Sequence, residues 1–409
     1  MALLHSLRYL PAKQILARLR YELAWKLYPR FPSAVRAWCE PDARACRPRA
    51  GFRWAGSPER SERPPAGSSL LARFQANYFD WSIQPGEIES WIAANPPGTW
   101  PSWHPYPTSL RIVNWIRAAP LPPAVAESLA MQVVFLERNL EFHLGGNHLL
   151  ENARALLAAG CCFEGPAAER WKTTGLELLC RELRKQVLPD GGHCERSPYY
   201  HRRMRRLVAD AIELLAAAGG KVPPEWPEAA ARMETFERAL RHQDGGLARF
   251  HDSLGDDDRR LPPSPELPRS FPHSGYCILD GPHGRLIADY GAPGAAANPG
   301  HQHAGIFSFE ISCGSCRVVV DSGTETYELG PQRSRLRSTA AHNTVRVDGQ
   351  DQFEVWGGFR VGRRAWVGQI HEHRGPNYGV ISAAHDGYDR LGVEHRRSIV
   401  SIPGAGWLI

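Results

Sequence analysis

The chain has 409 residues, of which 43% are hydrophobic and 22% charged, a balance that is ordinary for a globular protein with a large core. At about 150 residues per domain, this length suits two domains rather than one. The net charge of +6 suits an anionic partner and is too weak a signal to indicate nucleic-acid binding. Composition therefore excludes a disordered or fibrous chain but leaves the function open.

The nine cysteines are an odd number with irregular spacing, which does not indicate a disulfide framework. Cys313 and Cys316 form one CxxC without a second, so we interpret them as strand residues. The first residues show no uninterrupted apolar core and no small-residue cleavage site, and no stretch is apolar enough to span a membrane. We therefore expect a cytoplasmic protein without a transmembrane segment, while a periplasmic or peripheral location stays open.

Residues 1–32 form a basic amphipathic segment in which apolar residues recur at helical spacing between arginines and lysines. We expect this segment to dock on its own domain, although such a helix also suits a membrane surface. Residues 40–68 are rich in Pro, Arg, Ser and Gly and indicate a loop, so a basic helix and a loop make up region 1–68.

Residues 69–265 are helical in pattern, with Pro- and Gly-containing breaks and no strand between the helices. The predicted helices are 70–80, 109–119, 123–142, 147–160, 166–187, 198–219 and 227–242. Such serial helical hairpins predict an α/α arrangement that curls into a toroid or solenoid.

Near residue 265 a proline-rich hinge, PPSPELPRSFPHSG, precedes short β-patterned runs separated by Gly- and Asp-containing turns. The runs are YCILDG, RLIADYG, IFSFEI, CRVVVDSG, TVRVDG, RRAWVGQI, YGVISAAHDG and HRRSIVSI. They predict an antiparallel β-sandwich over residues 266–409, and hence an α+β multidomain fold with a helical toroid first. The last residues, GWLI, fall within an apparent strand, from which we expect an incomplete sandwich.

Three histidines and an aspartate fall in this β-patterned half. Residues two apart in a strand point the same way, so His301 and His303 are predicted to face one side together. Asp321 is predicted to close the next strand, and His342 to open the one after it. Two or three imidazoles with a carboxylate suit a zinc or non-haem iron site. A strand histidine is more often a surface or core residue, and that alternative stays open.

The helical half carries two further polar motifs. In GGNHLLENARALLAAG, Asn147, Glu151 and Arg154 form one polar stripe with His148 beside it, although Asn147 also suits a helix cap. In ERSPYYH, Ser197 and Pro198 are predicted to start a helix.

Tyr200 lies in the first turn of that helix, among several arginines. Positive charge favours the phenolate, which suits a proton donor or acceptor, and arginines pair carboxylates or sulfates. A packed aromatic pair on a solvated arginine-rich helix is the alternative interpretation.

Together these segments resemble the heparinase II/III-like polysaccharide lyases. The matching pieces run in order from about residue 70 to the end: ANYFDW, WHPYPTSLRIVNW, NHLLENARAL, ERSPYYH, FHDS, HQHAGIFSFEI, VVVDSGTETY and RSTAAHNTVRVDGQDQ. The resemblance implies an (α/α) toroid followed by an antiparallel β-sandwich, and cleavage of uronic-acid-containing glycans by β-elimination.

The resemblance also implies residue roles. Asn147 with His148 and Glu151 would hold the substrate carboxylate, Tyr200 would be the catalytic acid/base, and His301 the catalytic histidine. One structural zinc would be bound by His303, Asp321 and His342. Arg196, His201 and Arg337, which lie in the matching motifs, are predicted to contact the substrate.

The polymer stays open between heparan-like, hyaluronan-like, alginate-like and bacterial uronate chains, as do endo or exo mode, linkage stereochemistry and oligomeric state. Two other functions also stay open. One is a catalytically idle glycan-binding or scaffold protein of an exopolysaccharide assembly system, and the other is a cupin-like metal oxygenase or isomerase.

Overall fold

The structure is a computed structural model that describes residues 2–54, 63, 67, 69–118, 120–255, 267–281, 284–294 and 299–409. Much of the predicted loop 40–68 and the first part of the predicted proline-rich hinge lie outside these residues.

The helices of the described residues follow most of the predicted blocks. They are α1 Ala2–Leu7, α2 Ala12–Leu27, α3 Pro32–Arg44, α4 Leu70–Gln75, α5 Glu87–Ala94, α6 Pro105–Arg117, α7 Pro123–Arg138, α8 Gly146–Cys162, α9 Pro166–Gln186, α10 Pro198–Ala217, α11 Glu225–Ala239 and α12 Pro331–Arg337. Helices α3, α5 and α12 are additions to the predicted set, and α5 is only 8 residues long.

Two prolines have different effects on the helices at the start of the chain. Pro11 precedes α2 in extended conformation and separates it from α1, so the predicted single segment is two helices. Pro41, in contrast, lies inside α3, which continues to Arg44 although residues 40–68 were predicted to be a loop. That part of the prediction is wrong because an interior proline is disfavoured in a helix but is tolerated when the rest of the helix is packed. Val35, Cys39 and Ala43 form the buried face of α3.

The strands of the described residues form antiparallel sheets. They are β1 Arg47–Pro48, β2 Phe163–Glu164, β3 Ser270–Phe271, β4 Tyr276–Gly281, β5 Gly284–Asp289, β6 Phe309–Cys313, β7 Cys316–Val319, β8 Val355–Trp356, β9 Arg360–Val361, β10 His371–Arg374, β11 Gly379–His385, β12 His395–Ile402 and β13 Gly406–Leu408. The order is β3-β4-β5-β6-β7 in the five-stranded sheet and β10-β11-β12-β13 in the four-stranded sheet, while β1-β2 and β8-β9 are two-stranded. The predicted strands TVRVDG and RRAWVGQI are not strands here.

Contacts between residues divide the chain into two compact units. The helical unit contains Pro11–Lys185 and Arg206–Pro227, and the sheet unit contains Met1–Leu10, Gln186–Arg205 and Glu228–Ile409. The predicted domain boundaries at residues 68 and 265 stay a prediction.

Helix α8 lies in the core of the helical unit, with nearly every residue from Asn147 to Cys162 buried. Small residues let α9 approach it closely. A Cβ at Gly175 of α9 would lie 2.5 Å from the backbone nitrogen of Leu157 and 2.8 Å from the carbonyl oxygen of Ala153. Glycine at this position therefore sets the distance between the two backbones, which fixes the helix that carries Asn147 and His148.

In the sheet unit, the two larger sheets share one core. Leu279 of β4 and Leu286 of β5 belong to the same buried cluster as Ile381 of β11 and Ile399 of β12. On its opposite face the five-stranded sheet packs Ile278 and Ile287 against residues at the end of α11. This alternation of inward side chains between two antiparallel sheets is that of a β-sandwich. The predicted α+β fold, helical first and antiparallel afterwards, is confirmed.

Candidate active site

His301 and His303 converge on one buried carboxylate of the sheet unit. Nδ1 of His301 lies 2.9 Å from Oδ2 of Asp252, and Nε2 of His303 lies 2.7 Å from Oδ1. The segment 301–308 is a loop that precedes β6, so the predicted strand geometry of the two histidines is wrong. The two imidazole rings nevertheless lie close together, because Asp252 accepts a hydrogen bond from each of them.

Helix α12 completes what we call the Asp252 network, which consists of Asp252, His301, His303 and Arg333. Arg333 donates through Nη2 to Oδ2 of Asp252 at 2.7 Å and through Nη1 to Oδ1. Asp252 and Arg333 are at most 1% exposed. Burial opposes ionisation of Asp252, but the hydrogen bonds from His301, His303 and Arg333 outweigh it and hold the pKa of this carboxyl well below its usual range.

Tyr200 stacks on His301. The two ring centroids are 3.7 Å apart at an interplanar angle of 26°, and the Tyr200 hydroxyl lies 3.1 Å from that of Tyr327. Burial, followed by the charge of Asp252, raises the pKa of Tyr327 well above its usual value. Tyr327 therefore keeps its proton. The half-buried Tyr200, His301 and the neutral phenol of Tyr327 form one group of neighbouring side chains.

The local sequence explains the placement of Tyr200. Helix α10 begins at Pro198, and the Ser197 hydroxyl accepts from the Tyr200 backbone nitrogen at 3.4 Å, so the predicted cap and first helical residue are confirmed. Just before it, Arg196 has φ of +60°, and His251, next to Asp252, also has φ of +60°. Non-glycine residues adopt this conformation only where the surrounding contacts enforce it, as they do at functional sites.

Three residues predicted to contact substrate have their polar groups in protein contacts within the sheet unit. Arg196 donates to the carbonyl oxygens of Ser274 and Ala292 and pairs with Asp289. His201 accepts from the His193 backbone nitrogen at 3.2 Å, and its Nε2 lies 2.9 Å from the Met233 carbonyl oxygen.

The third of these residues, Arg337, lies one helical turn after Arg333 on α12. It donates to the Gln302 carbonyl oxygen through Nε at 3.2 Å and Nη2 at 2.9 Å, and burial lowers its pKa to about 9. The Arg337 carbonyl oxygen accepts from the Ala304 nitrogen at 2.9 Å. Helix α12 thus holds both the histidine loop and Asp252. The substrate contact predicted for Arg337 stays a prediction.

The three residues predicted to bind zinc are all buried in the sheet unit. Nδ1 of His342 lies 2.9 Å from Oδ2 of Asp321, and the ring centroids of His303 and His342 are 5.3 Å apart. Asp321 also accepts from the Ser308 hydroxyl at 2.8 Å. His342 follows a short 3-10 turn and does not open a strand, contrary to the prediction.

The donors of this trio are those that zinc prefers, two imidazoles and a carboxylate. Nδ1 of His303 and Nε2 of His342 are buried and form no hydrogen bond with any of the described residues. In the described residues, however, no group of three or more His, Cys, Asp or Glu side chains is arranged to hold a metal ion. The donor types and these two nitrogens therefore fit a metal ion. The three side chains are nevertheless not arranged to hold one in this structure.

The residues predicted to hold the substrate carboxylate lie together at the start of α8, in the helical unit. Asn147 is buried, His148 is partly exposed, and Glu151 pairs with Arg154 at 2.5 Å. Nδ1 of His148 lies 2.9 Å from Oε1 of Glu141, a fully buried carboxylate.

Burial opposes ionisation of Glu141, yet the charge and hydrogen bond of His148 outweigh it and lower the pKa of Glu141 to about 2. Asn152 of α8 donates to Oε2 of Glu141 at 3.0 Å and accepts from the Glu141 backbone nitrogen at 2.8 Å. Glu141 is therefore an anion held in place by the same helix that carries His148, and it fixes which ring nitrogen of His148 faces away.

Asp252, Glu141, Tyr327 and Arg333 are site residues to which the sequence assigned no role. Asp252 and Tyr327 lie in the matching segments FHDS and VVVDSGTETY, which marked their neighbourhood but not their contacts. The sequence around Glu141 and Arg333 carries no signal that would have identified them.

The fold and the site define a class of protein in which a helical region precedes a β-sandwich, and in which a helix tyrosine stacks on a histidine of the sheet unit. The family model described as Heparinase II/III N-terminus matches residues 124–272, and the one described as Heparinase II/III-like, C-terminal matches residues 263–409. The chain belongs to the heparinase II/III-like family.

The chain is similar to three proteins that are already known by name or structure. FtsZ-localized protein C of Caulobacter vibrioides is 29% identical over 282 residues, covering 64% of this chain and 47% of the relative. A heparin-sulfate lyase of Bacteroides stercoris is 24% identical over 360 residues, covering 75% of this chain and 51% of the relative. The crystal structure of heparinase III superposes with a TM-score of 0.59 at 20% identity, covering 81% of this chain and 60% of that one, and shows the fold.

The chain spans about half the length of the two curated relatives, 47% and 51%. In the part of the chain that the structure describes, none of the helices is both long enough and apolar enough to cross a membrane.

Proposed function

We propose that this protein is a polysaccharide lyase that cleaves a uronic-acid-containing anionic glycan by β-elimination. The observation that carries the proposal is the stack of the Tyr200 ring on the His301 ring. The buried carboxylate of Asp252 holds Nδ1 of His301 by a hydrogen bond. The names of three relatives, each called a heparin-sulfate lyase, make a glycosaminoglycan the first substrate class to test.

Proton transfer is the task of Tyr200 and His301. A base removes the C5 proton of the uronate, the electron pair forms the C4–C5 double bond, the C4–O4 bond breaks, and an acid protonates O4. Because Asp252 is anionic and accepts from Nδ1 of His301, Nε2 carries the lone pair that can take a proton. Tyr200 supplies the proton for O4, and it also acts as base where both groups lie on one face of the sugar.

Tyr327 supports the ionised form of Tyr200. Since the pKa of Tyr327 is raised well above its usual value, its hydroxyl remains a donor and can stabilise a Tyr200 phenolate across their 3.1 Å contact. A charge-assisted hydrogen bond of this kind is stronger than one between neutral hydroxyls.

Neutralising the substrate carboxylate is the task we assign to Asn147, His148 and Glu151. Negative charge grows on that carboxylate as the C5 proton leaves, so preorganised donors lower the barrier. Glu141 is anionic and holds Nδ1 of His148, and we assign the Nε2 side of the ring to the substrate carboxylate. Glu151 acts through Arg154, with which it is paired.

Arg196, His201 and Arg337 stay predicted substrate contacts, and we propose that they also position the segments of the site. Their donors and acceptors are engaged with backbone carbonyls, a backbone nitrogen and Asp289, and all three side chains are buried. They hold the segments that carry Tyr200 and His301.

We further propose that His303, Asp321 and His342 bind one structural zinc ion, as the resemblance implies. Two imidazole nitrogens of this trio support the proposal, because they are buried and have no hydrogen-bond partner in the part of the chain that the structure describes. The ion would brace the loops beside the site, and no step of the reaction depends on it. Elemental analysis of purified protein should find about one zinc per chain, and His303→Ala should lose it. An unchanged zinc content in His303→Ala would refute this ligand set.

The lyase proposal is tested with Tyr200→Phe, which removes one hydroxyl and keeps the ring stacked on His301. We expect kcat to fall by about 10²- to 10⁴-fold, the usual contribution of a positioned acid or base. The assay follows the ultraviolet absorbance of the unsaturated uronate on heparan sulfate, hyaluronan and bacterial uronate polymers. Tyr199→Phe is the matched control, because Tyr199 is the preceding, similarly half-buried tyrosine and should keep its activity. A fully active Tyr200→Phe enzyme would refute the assignment.

A catalytically idle glycan-binding or scaffold protein is the second candidate. The similarity to FtsZ-localized protein C, whose name does not describe a lyase, favours it. In that case the wild-type chain binds an anionic oligosaccharide in calorimetry, and neither wild type nor Tyr200→Phe produces unsaturated product from the same sugar.

A further inference from the structure

Helix α2 of the helical unit has one packed face and one exposed face. On the packed face the Tyr21 hydroxyl lies 2.7 Å from Nε2 of His104, and the Tyr21 ring stacks on His143 at 4.0 Å. Gln14 donates to the His143 carbonyl oxygen at 2.8 Å, and Trp25 stacks on His104 at 5.8 Å. These contacts fix the orientation of α2, so its opposite face is held outward.

The outward face is a stripe of leucines that we call the leucine face, consisting of Leu16, Leu19, Leu23 and Leu27. Their exposed fractions are 66%, 62%, 62% and 44%. At 100° per residue they fall within an arc of about 80° on the helix surface. No other helix among the described side chains has more than one large exposed apolar residue, so the leucine face is unusual for this molecule.

Basic residues flank the leucine face on both sides. On the same helical projection Lys26 lies about 20° beyond one edge of the leucine arc, and Arg20 and Lys13 about 20° and 40° beyond the other. All three are exposed. Glu22, the acidic residue of α2, is paired with Arg18 at 3.2 Å, away from the leucine face.

We propose that the leucine face of α2 binds the surface of an anionic lipid bilayer, with α2 lying in the plane of the headgroups. A helix with leucines on one face and Lys or Arg at its margins inserts its apolar side chains at the boundary of the acyl chains. The basic side chains reach the phosphates beside it, since their aliphatic stems tolerate apolar surroundings. Charge complementarity thus favours an anionic surface as the occupant.

A second copy of this chain is a poorer occupant. A symmetric dimer through the leucine face would bring the same Lys and Arg margins of two copies together, and like charges at such close range repel. An acidic protein would neutralise the basic residues beside the leucine face, but it would need a groove that fits a single convex helix. A fluid bilayer needs no such groove, because its acyl chains rearrange around each leucine side chain.

The test is flotation of the full chain with lipid vesicles, one set of equal parts phosphatidylglycerol and phosphatidylcholine and one of phosphatidylcholine alone. We expect the wild type to float with the anionic vesicles and to be released by high salt. Leu19→Glu/Leu23→Glu should reduce binding by at least about tenfold, because charge replaces the inserted side chains. Arg20→Gln/Lys26→Gln should reduce it by about fivefold for each charge removed.

Leu408→Glu is the matched control, since Leu408 is 66% exposed, as is Leu16, and lies on a strand of the other unit. It should float like the wild type. All variants should keep the wild-type Tm, because the changed side chains face solvent, and a lower Tm for Leu19→Glu/Leu23→Glu would contradict the outward orientation.

Absence of wild-type flotation, or equal flotation of Leu19→Glu/Leu23→Glu, would overturn the proposal. Loss of self-association in that variant without vesicle binding would assign the face to a second copy. Vesicle-independent binding of an acidic protein, abolished by the same variant, would assign the face to a protein partner.

Discussion

Replacing Asp252 by Asn should both destabilise the sheet unit and reduce activity. The carboxylate is fully buried and accepts from His301, His303 and Arg333. Asparagine keeps one acceptor oxygen and places an amide donor at the other position, where a histidine or guanidinium donor already lies. Arg333 then remains as a buried cation without its counterion.

The contact distances set the size of the effect. At 2.7 Å between Nη2 of Arg333 and Oδ2 of Asp252, the attraction is roughly 6 kcal/mol with an effective dielectric constant of about 20. The cost of desolvating the two groups offsets much of it, so removal of one partner of a buried pair costs about 3–5 kcal/mol. Because His301 also loses the carboxylate on its Nδ1, kcat should fall by about 10- to 100-fold as well.

A double-mutant cycle separates the two effects. Asp252→Asn/Arg333→Met removes the uncompensated cation and should regain part of the stability lost in Asp252→Asn, as measured by urea unfolding, without regaining activity. Glu394→Gln is the control, since Glu394 pairs with Arg396 at 3.1 Å with both side chains exposed and should cost less than about 1 kcal/mol. Equal stability of Asp252→Asn and wild type would refute the reasoning.

Two further predictions concern other buried groups. Glu141→Gln removes the charge that holds His148, so kcat/KM should fall by about 10- to 100-fold. Glu137→Gln, in the last turn of α7, should not change it, and an unaffected Glu141→Gln enzyme would contradict the role. Burial lowers the pKa of His385 to about 3 and that of His395 to about 4, below the unfolded value near 6.5. The neutral forms are therefore favoured in the folded state, and this stability is complete above pH 6.5 and falls by up to about 1.4 kcal/mol per group and pH unit below it. The Tm should thus be lower at pH 5 than at pH 7, and less so in His385→Gln; a Tm independent of pH would be the contrary result.

The sequence predicted helix and strand where local periodicity is strong. Helix α10, with Ser197 as its cap and Pro198 as its first residue, follows from local rules alone. Strands β4, β11 and β12 were also predicted because apolar residues cluster or alternate between turns. Local rules failed where tertiary packing decides, as in α3, which runs through Pro41, and in the loop that carries His301 and His303.

Helix α2 shows a second limit of local rules, because its helical pattern was predicted but its buried face was not. The sequence indicated a basic amphipathic segment that docks on its own domain, and Tyr21 and Trp25 do pack on histidines of the helical unit. Periodicity could not show which of two apolar faces is buried. The aromatic face is the packed one, and the leucine face is exposed.

The sequence predicted the histidines of the site and, among the carboxylates, Asp321, but in the structure a buried carboxylate orients three of these histidines. Asp252 pairs with His301 across 49 residues, Asp321 with His342 across 21, and Glu141 with His148 across 7. Each carboxylate is fully or almost fully buried and has a pKa below its ordinary value. Motif spacing can mark a histidine, yet only the fold shows which acid fixes its tautomer. The chemistry proposed for Tyr200 and His301 therefore depends as much on Asp252, which no local pattern distinguishes from any other aspartate in a turn.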